Sequence, residues 1–345
     1  MHNTTFHLPA ISSPVTGNQA NAPSQPANRP VKRLARLTAA ALLSLSTAAL
    51  ATPDTINILT GGTSGVYYPI GNELAQLYNQ RIAGSTSVVH ATKASVENLN
   101  LLQIARGQLA FALGDAVADA WQGKQEAGFR APRDRLRAIA AIYPNYIQLV
   151  ATRQSGITTL DGLKGKRISV GAPRSGTELN AREILQAAGL SYEDMGKVVF
   201  KPYAESLELI KRGQLDAILQ SAGLGMAAIR ELTEAMPITF VPIPAEVVEK
   251  IGNSAYQPRL IPGGTYAGQS RNVPTAAIAN ILVSQIKVPD DVAYQMTKAI
   301  FDNLDNLAEA HPAANAIKLR TALEGLPIPL HPGAERFYKE VGMLR

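Results

Sequence analysis

"IARGQLAFAL", residues Ile104 to Leu113, is echoed further along the chain by "IKRGQLDAIL", Ile210 to Leu219. In both, a helix-period stretch ends at Arg-Gly and Gln-Leu opens an apolar run of strand character. The segments upstream echo as well. "ILTGGTSG" (Ile58 to Gly65) and "ISVGAPRSG" (Ile168 to Gly176) each pass from a strand through a glycine loop to Ser-Gly ahead of a helix. Two such copies point to two lobes of similar α/β build, the first starting near Asp54 and the second near Thr152.

The alternation around the echo supports this. "TINILT" and "SVVHAT" read as strands, and Val66, Ile70, Leu74 and Leu77 fall at helical spacing between them. "SVENLNLLQIAR" reads as a helix with Ser95 as its N-cap and Gly107 at its end. Strands alternating with helices predict an α/β fold with a largely parallel sheet. Two longer apolar runs interrupt the rhythm: "LRAIAAIYPNYIQLVAT", from Leu136, and "TAAIANILVS", from Thr275. They read as strands that cross between the lobes. The second is followed by an amphipathic stretch carrying Val292, Met296, Ile300, Leu304 and Leu307. This divides the chain into residues 54–149 plus 284–345 as a discontinuous first lobe and 150–283 as the second. Clefts between domains are preferred sites for small ligands.

Charge and composition narrow the function. The formal net charge is +6, but four basic residues and no acidic ones precede residue 52. Without that segment 29 basic residues face 27 acidic ones, too even a balance for a nucleic-acid footprint. The segment "VKRLARLTAAALLSLSTAALA", ending at Ala51, has the basic start, short apolar run and small residues of a secretory signal. Residues 1–51 are thus expected to be an extension plus cleaved signal peptide, leaving a soluble, exported, periplasmic protein. With no cysteine in the chain, disulfides, thiolate metal sites, cysteine nucleophiles and a lipid-anchored cysteine are excluded. His90, His311 and His331 stand far apart without metal-ligand spacing, so neither metal nor cofactor is expected.

The loops are where chemistry can sit. "TGGTSGVYYPIG", Thr60 to Gly71, lacks the lysine and Ser/Thr of a phosphate loop and does not match a nucleophile elbow. It reads either as an ordinary strand-to-helix turn or as an anion-friendly one, with Gly62, Thr63, Ser64 and Gly65 at a helix start. "GAPRSGTEL" repeats the arrangement with Arg174, Ser175, Gly176 and Thr177, although Ser175 and Glu178 also fit a capping box that needs no ligand. Lys93 and Ser95 begin a third helix. Asp115, and Gln220 with Ser221 and Ala222, lie at matching strand ends, where clefts of parallel sheets open. Tyr143 sits at the first crossing. No histidine accompanies Ser64 or Ser175, so the machinery of acid–base catalysis is missing from the pattern.

An ordered set of blocks resembles one family. "ILTGGTSGVYYPIGNELAQLYN", "ASVENLNLL", "LRAIAAIYPNYIQLVA", "SGITTLDGLKGKRISVGAPRSGTELNAREIL", "GQLDAILQSAG", "IPGGTYAG" and "IPLHPGAERFYKEVG" follow one another from Thr55 to Gly342. They look like the blocks of the TAXI family, the extracytoplasmic solute receptors of TRAP transporters. The resemblance implies a type II periplasmic binding protein fold whose two α/β lobes close on a solute such as glutamate, 2-oxoglutarate or another small carboxylate. It also implies delivery to a small and a large membrane subunit driven by an ion gradient. Carried over by position, the cleft loops fall on Gly62 to Gly65 with Tyr67, on Ser95, on Tyr143, on Ser175 to Thr177 and on Gln220 to Ala222. The chain departs from the family pattern at Asp115, Arg174 and Lys93. Asp115 is expected to read a ligand ammonium or hydroxyl while Arg174 or Lys93 meets a carboxylate. A monomer is expected. Two other readings stay open: a receptor of the same fold serving an ATP-driven importer or a sensor kinase, and an exported enzyme acting on small acids.

Overall fold

The computed structural model describes residues 54–345; the signal-like run and its preface lie outside them. Strand β1 (Asp54–Leu59), helix α1 (Tyr67–Arg81), β2 (Ser85–His90), α2 (Ser95–Gln103) and β3 (Leu109–Leu113) form one run, with β1 parallel to both β2 and β3. Helix α3 (Gly114–Gln122) follows β3 without a break, and β4 (Leu136–Thr152) comes next. The second run repeats the first: β5 (Arg167–Ser169), α4 (Gly176–Ala187), β6 (Lys197–Val199), α5 (Tyr203–Lys211) and β7 (Ala217–Ala222), with β5 parallel to both β6 and β7. The sequence echo is therefore a repeat of topology, and its two copies end in the equivalent strands β3 and β7.

Helix α6 (Ala227–Ala235), β8 (Ile238–Phe240), α7 (Ala245–Lys250) and β9 (Gln257–Ile261) lead into β10 (Val273–Gln285). The chain then finishes through α8 (Asp290–Asp302), α9 (Leu304–Ala310) and α10 (Pro332–Glu340). The ten-stranded sheet has the order β2-β1-β3-β10-β4-β7-β5-β6, with β8 on β4 and β9 on β10. The two long apolar runs are β4 and β10, antiparallel to each other and to the neighbours they join. One part of β4 pairs with β10 and its final part with β7. Likewise β10 pairs first with β9 and then with β3. Side by side, the two strands join the trios, β10 bordering the first at β3 and β4 bordering the second at β7.

Helices cover both faces of the sheet, which is why its central strands are apolar throughout and do not alternate. On β3, Leu109 and Phe111 enter one core while Ala110 and Ala112 enter the other. The first core holds Ile70 and Leu74 of α1, Leu207 of α5 and Ile300 of α8; the second holds Val96 and Leu99 of α2, Val117 of α3 and Ile184 of α4. Each such side chain contributes about 1.5–3 kcal/mol by leaving water. The amphipathic stretch after β10 is broken at Asn303 into α8 and α9, with Met296, Ile300 and Leu307 buried. Among the described residues no helix is long and apolar enough to cross a membrane.

Candidate functional site

The equivalent loops of the two runs meet. A cavity of about 60 Å³ is walled by the first residues of four helices: Val66 and Tyr67 at α1, Ala94 and Ser95 at α2, Gly176 and Thr177 at α4, and Pro202 and Tyr203 at α5. The first amides of a helix have no acceptor within it and carry the positive end of its dipole. At α1 and α2 no side chain caps them. At α4 the Ser175 hydroxyl accepts from the Glu178 amide at 3.2 Å. Lys93 is the one ionisable cation in the wall, and no carboxylate of the described residues shares it.

Each loop is held by its own polar staples. The buried Asn98 amide donates to the carbonyls of Thr60, Phe111 and, more weakly, Leu59, pinning the α2 start against β1 and β3. Ser95 accepts from the Leu113 amide at 3.1 Å. Tyr67 stacks on Phe111 with ring centroids 5.0 Å apart and donates to Asn280 Oδ1 at 2.5 Å. Asn280 in turn donates to the Tyr143 carbonyl, which ties α1 to both crossing strands. Tyr203 donates to the Ser221 carbonyl at 2.6 Å and lies 2.5 Å from the Thr177 hydroxyl. Burial raises the pKa of Tyr67, Tyr143 and Tyr203, with mutual electrostatic effects among them adding to the shift at Tyr67 and Tyr143, so all three stay neutral hydroxyls near neutral pH.

Gly62, Gly65, Tyr67, Lys93, Ser95, Ser175, Gly176, Thr177, Ser221 and Ala222 line this cavity. Thr63, exposed, and Ser64, half-buried, do not. Arg174 is exposed, does not line the cavity, and has a left-handed conformation, φ 62°. Tyr143 and Gln220 are buried just behind the wall; the Tyr143 hydroxyl and both polar atoms of the Gln220 amide lack a hydrogen-bond partner among the described residues. Asp115 is buried and lines a different cavity of about 540 Å³, between α3, α4 and α7.

Glu178 does not complete a capping box. Its carboxylate pairs with Arg182 at 2.8 Å and accepts from the Tyr192 hydroxyl, so its charge points away from the α4 start. Sequence reasoning missed Asn145, Tyr203 and Thr92 in the wall. Asn145 is a polar residue beside Pro144 in the middle of an apolar crossing strand. Tyr203 opens the helix that the repeat makes equivalent to α2.

The profile of the NMT1-like family matches residues 58–342. The chain belongs to the NMT1-like family. Among solved structures, a protein of Bordetella bronchiseptica RB50 superposes with a TM-score of 0.50 at 17% identity, covering 84% of this chain and 89% of its own. A structure described as a periplasmic transporter superposes with a TM-score of 0.50 at 14% identity, covering 84% of this chain and 93% of its own. At such identities the likeness is one of fold. This member of the family has the mixed α/β periplasmic-binding-protein fold expected from the sequence.

Proposed function

We propose that this NMT1-like protein is an extracytoplasmic solute receptor that captures a small carboxylate and releases it unchanged to a TRAP-type, ion-gradient-driven membrane transporter. The observation that carries the reading is the convergence of four helix beginnings and Lys93 on one cavity to whose wall the described residues contribute no carboxylate. Such a wall favours a negative group through unpaired amides and aligned dipoles. The wall's hydroxyls and amides bind without being tuned for proton transfer, which favours a receptor over an exported enzyme. In this reading residues 54–149 with 284–345 form one lobe and residues 150–283 the other. They close on the solute about β4 and β10, the two strands that stand between the trios. Resemblance of the ordered sequence blocks to the TAXI receptors supports the TRAP-type partner, a small and a large membrane subunit, and export to the periplasm.

A thermal-shift panel of amino acids, oxoacids and dicarboxylates on the purified protein tests this. A true ligand at about 100 times its dissociation constant adds about 2.7 kcal/mol of stability. Finding no acid that raises the melting temperature, or finding turnover of one that does, overturns the proposal.

A further inference from the structure

Behind the cavity wall runs a chain of side-chain hydrogen bonds linking the two cavities. Asp115, in the first turn of α3, accepts on Oδ1 from the Ala116 amide at 2.8 Å. Its Oδ2 accepts from the Tyr256 hydroxyl at 2.6 Å and from Asn180 Nδ2 at 2.8 Å. Asn180 Nδ2 also donates to the Tyr256 hydroxyl at 2.8 Å. On its other side Asn180 Oδ1 accepts from the Ser221 hydroxyl at 2.6 Å, and Ser221 Oγ accepts from Asn145 Nδ2 at 2.5 Å. Asp115, Asn180, Ser221 and Asn145 are all buried, and only Ser221 and Asn145 reach the smaller cavity.

The direction of every bond follows from the carboxylate end. An ionised carboxylate can only accept, and a tyrosine hydroxyl has one proton, here committed to Asp115. Both amide hydrogens of Asn180 must therefore face Asp115 and Tyr256, which turns its carbonyl to Ser221. Ser221 then has its single proton committed to Asn180 and must accept from Asn145. Asn145, with one of its two amide hydrogens engaged, turns its carbonyl oxygen out of the chain. Ser221 thus offers a ligand lone pairs and no polar hydrogen, while Asn145 offers its carbonyl oxygen and the amide hydrogen that Ser221 does not take.

We propose that Asp115 is a positioning residue which, through Asn180, fixes Ser221 as an acceptor, so that the bound acid carries a hydroxyl or ammonium donor facing it. The inference rests on the receptor reading above and specifies its ligand: an acid with a donor group, in preference to the corresponding oxoacid. Asp115 acts without touching the solute. The cost of mismatch is asymmetric, because a carbonyl set against an acceptor leaves buried oxygens unpaired, whereas a hydroxyl or ammonium satisfies them.

Calorimetric titration with L-glutamate, 2-hydroxyglutarate and 2-oxoglutarate tests this, the three sharing their carboxylates and differing only in the central group. The wild-type protein should bind at least one donor-bearing acid about tenfold or more tightly than 2-oxoglutarate, and the stronger of the two identifies the donor. In Asp115→Asn the new amide can donate as well as accept, Asn180 can turn over, and the preference should shrink to within about threefold. A purely structural loss would weaken all three acids alike. Wild-type protein that favours 2-oxoglutarate, or Asp115→Asn protein that keeps the full preference, overturns the proposal.

A second measurement needs no ligand. The groups facing Asp115 are Tyr256 and Asn180, with Asp119 on its own helix and Glu183 on α4 acting at longer range; Asp119 is paired with Lys124. In protein labelled with ¹⁵N-asparagine, the Asn145 side-chain resonance should move as Asp115 titrates, and should stop doing so in Asn180→Ala. A static Asn145 signal in the wild-type protein also overturns the relay. If none of the acids binds, the carboxylate-receptor reading fails on its own account and the resonance data still decide the relay.

Discussion

Gly176 stands so close to Ser95 that a Cβ placed on the glycine would come within 2.6 Å of the serine hydroxyl oxygen, and equally near Leu113 Cδ1. Gly176 begins α4 of the second run, whereas Ser95 begins α2 of the first. The helix starts therefore touch across the cavity at a point with no room for a side chain. Gly176→Ala should push them apart. At a helix's first position alanine is no worse than glycine for the backbone, so the loss of stability should be that of the overpacking alone, about 1–3 kcal/mol. Ligand affinity should fall about tenfold or more, since a displacement of this size removes the convergence of the amides. Calorimetry beside thermal unfolding separates the two effects, and an unchanged dissociation constant would show that the contact is irrelevant to binding.

Ala94 presents the reverse situation. It caps α2 with φ 69° and ψ −146°, a combination that costs a residue with a Cβ about 1–3 kcal/mol. Glycine relieves that strain while adding about 0.5–1 kcal/mol of chain entropy to be lost on folding. Ala94→Gly should therefore stabilise the protein by about 1 kcal/mol in urea unfolding. The same change loosens the backbone that presents Ser95 to the cavity, so affinity for the solute should drop several-fold. A variant that is less stable than the wild type would show that the backbone there is not strained.

Much of the architecture was readable because burial on two sides leaves a plain signature. The apolar run from Leu136 to Thr152 is β4 from its first residue to its last, and the echo marks β3 and β7. The loops were readable as a set because a glycine turn before a helix is a local feature. What local spacing does not encode is which way a side chain leaves the turn. Thr63 and Ser64 share their loop with Gly62 and Gly65, yet only the glycines reach the cavity. Arg174 is exposed and absent from the cavity wall, although Ser175 beside it lines that wall. Asp115 was expected to meet the solute directly, and the structure sets it behind the wall, since Asn180 and Tyr256, distant in sequence, close around it. Partners 65 and 141 residues away leave no trace in a local pattern.

Asp115 also makes a pH dependence. Burial is the main cause that raises its carboxyl to about 6, opposed by hydrogen bonds from Tyr256 and the Ala116 amide and assisted by the nearby charges of Asp119 and Glu183. In the unfolded chain the group ionises near its ordinary value of 3.8. Below that value both states are protonated and the group has no effect. Between the two values the unfolded state has lost a proton the native state keeps, so stability falls as pH rises, by about 3 kcal/mol in all at about 1.4 kcal/mol per unit. Above about 6 the loss is complete and constant. His331 and His311, both lowered by burial, shift stability the opposite way near the upper end, which makes the comparison with a variant necessary. Urea unfolding of Asp115→Asn at pH 4 to 7 should lack the descending component, and parallel curves for the two proteins would contradict the assignment.

Tyr143 and Tyr203 allow binding and folding to be told apart. The Tyr203 hydroxyl is fully engaged, donating to the Ser221 carbonyl and accepting from the Ser221 amide at 3.2 Å, with Thr177 beside it. Tyr203→Phe strands those partners, and should cost about 1–3 kcal/mol of stability. The Tyr143 hydroxyl is buried, has no partner among the described residues, and lies near enough to Tyr67 and Tyr203 to be coupled to them electrostatically. Tyr143→Phe therefore deletes a polar group that stabilises nothing in the fold, and should leave the unfolding curve unchanged or slightly improved. If the solute supplies the missing partner, the same substitution weakens its binding by about tenfold, the worth of one buried hydrogen bond. Stability lost in Tyr143→Phe would mean that the hydroxyl is bonded within the protein, and affinity retained would place the solute out of its reach.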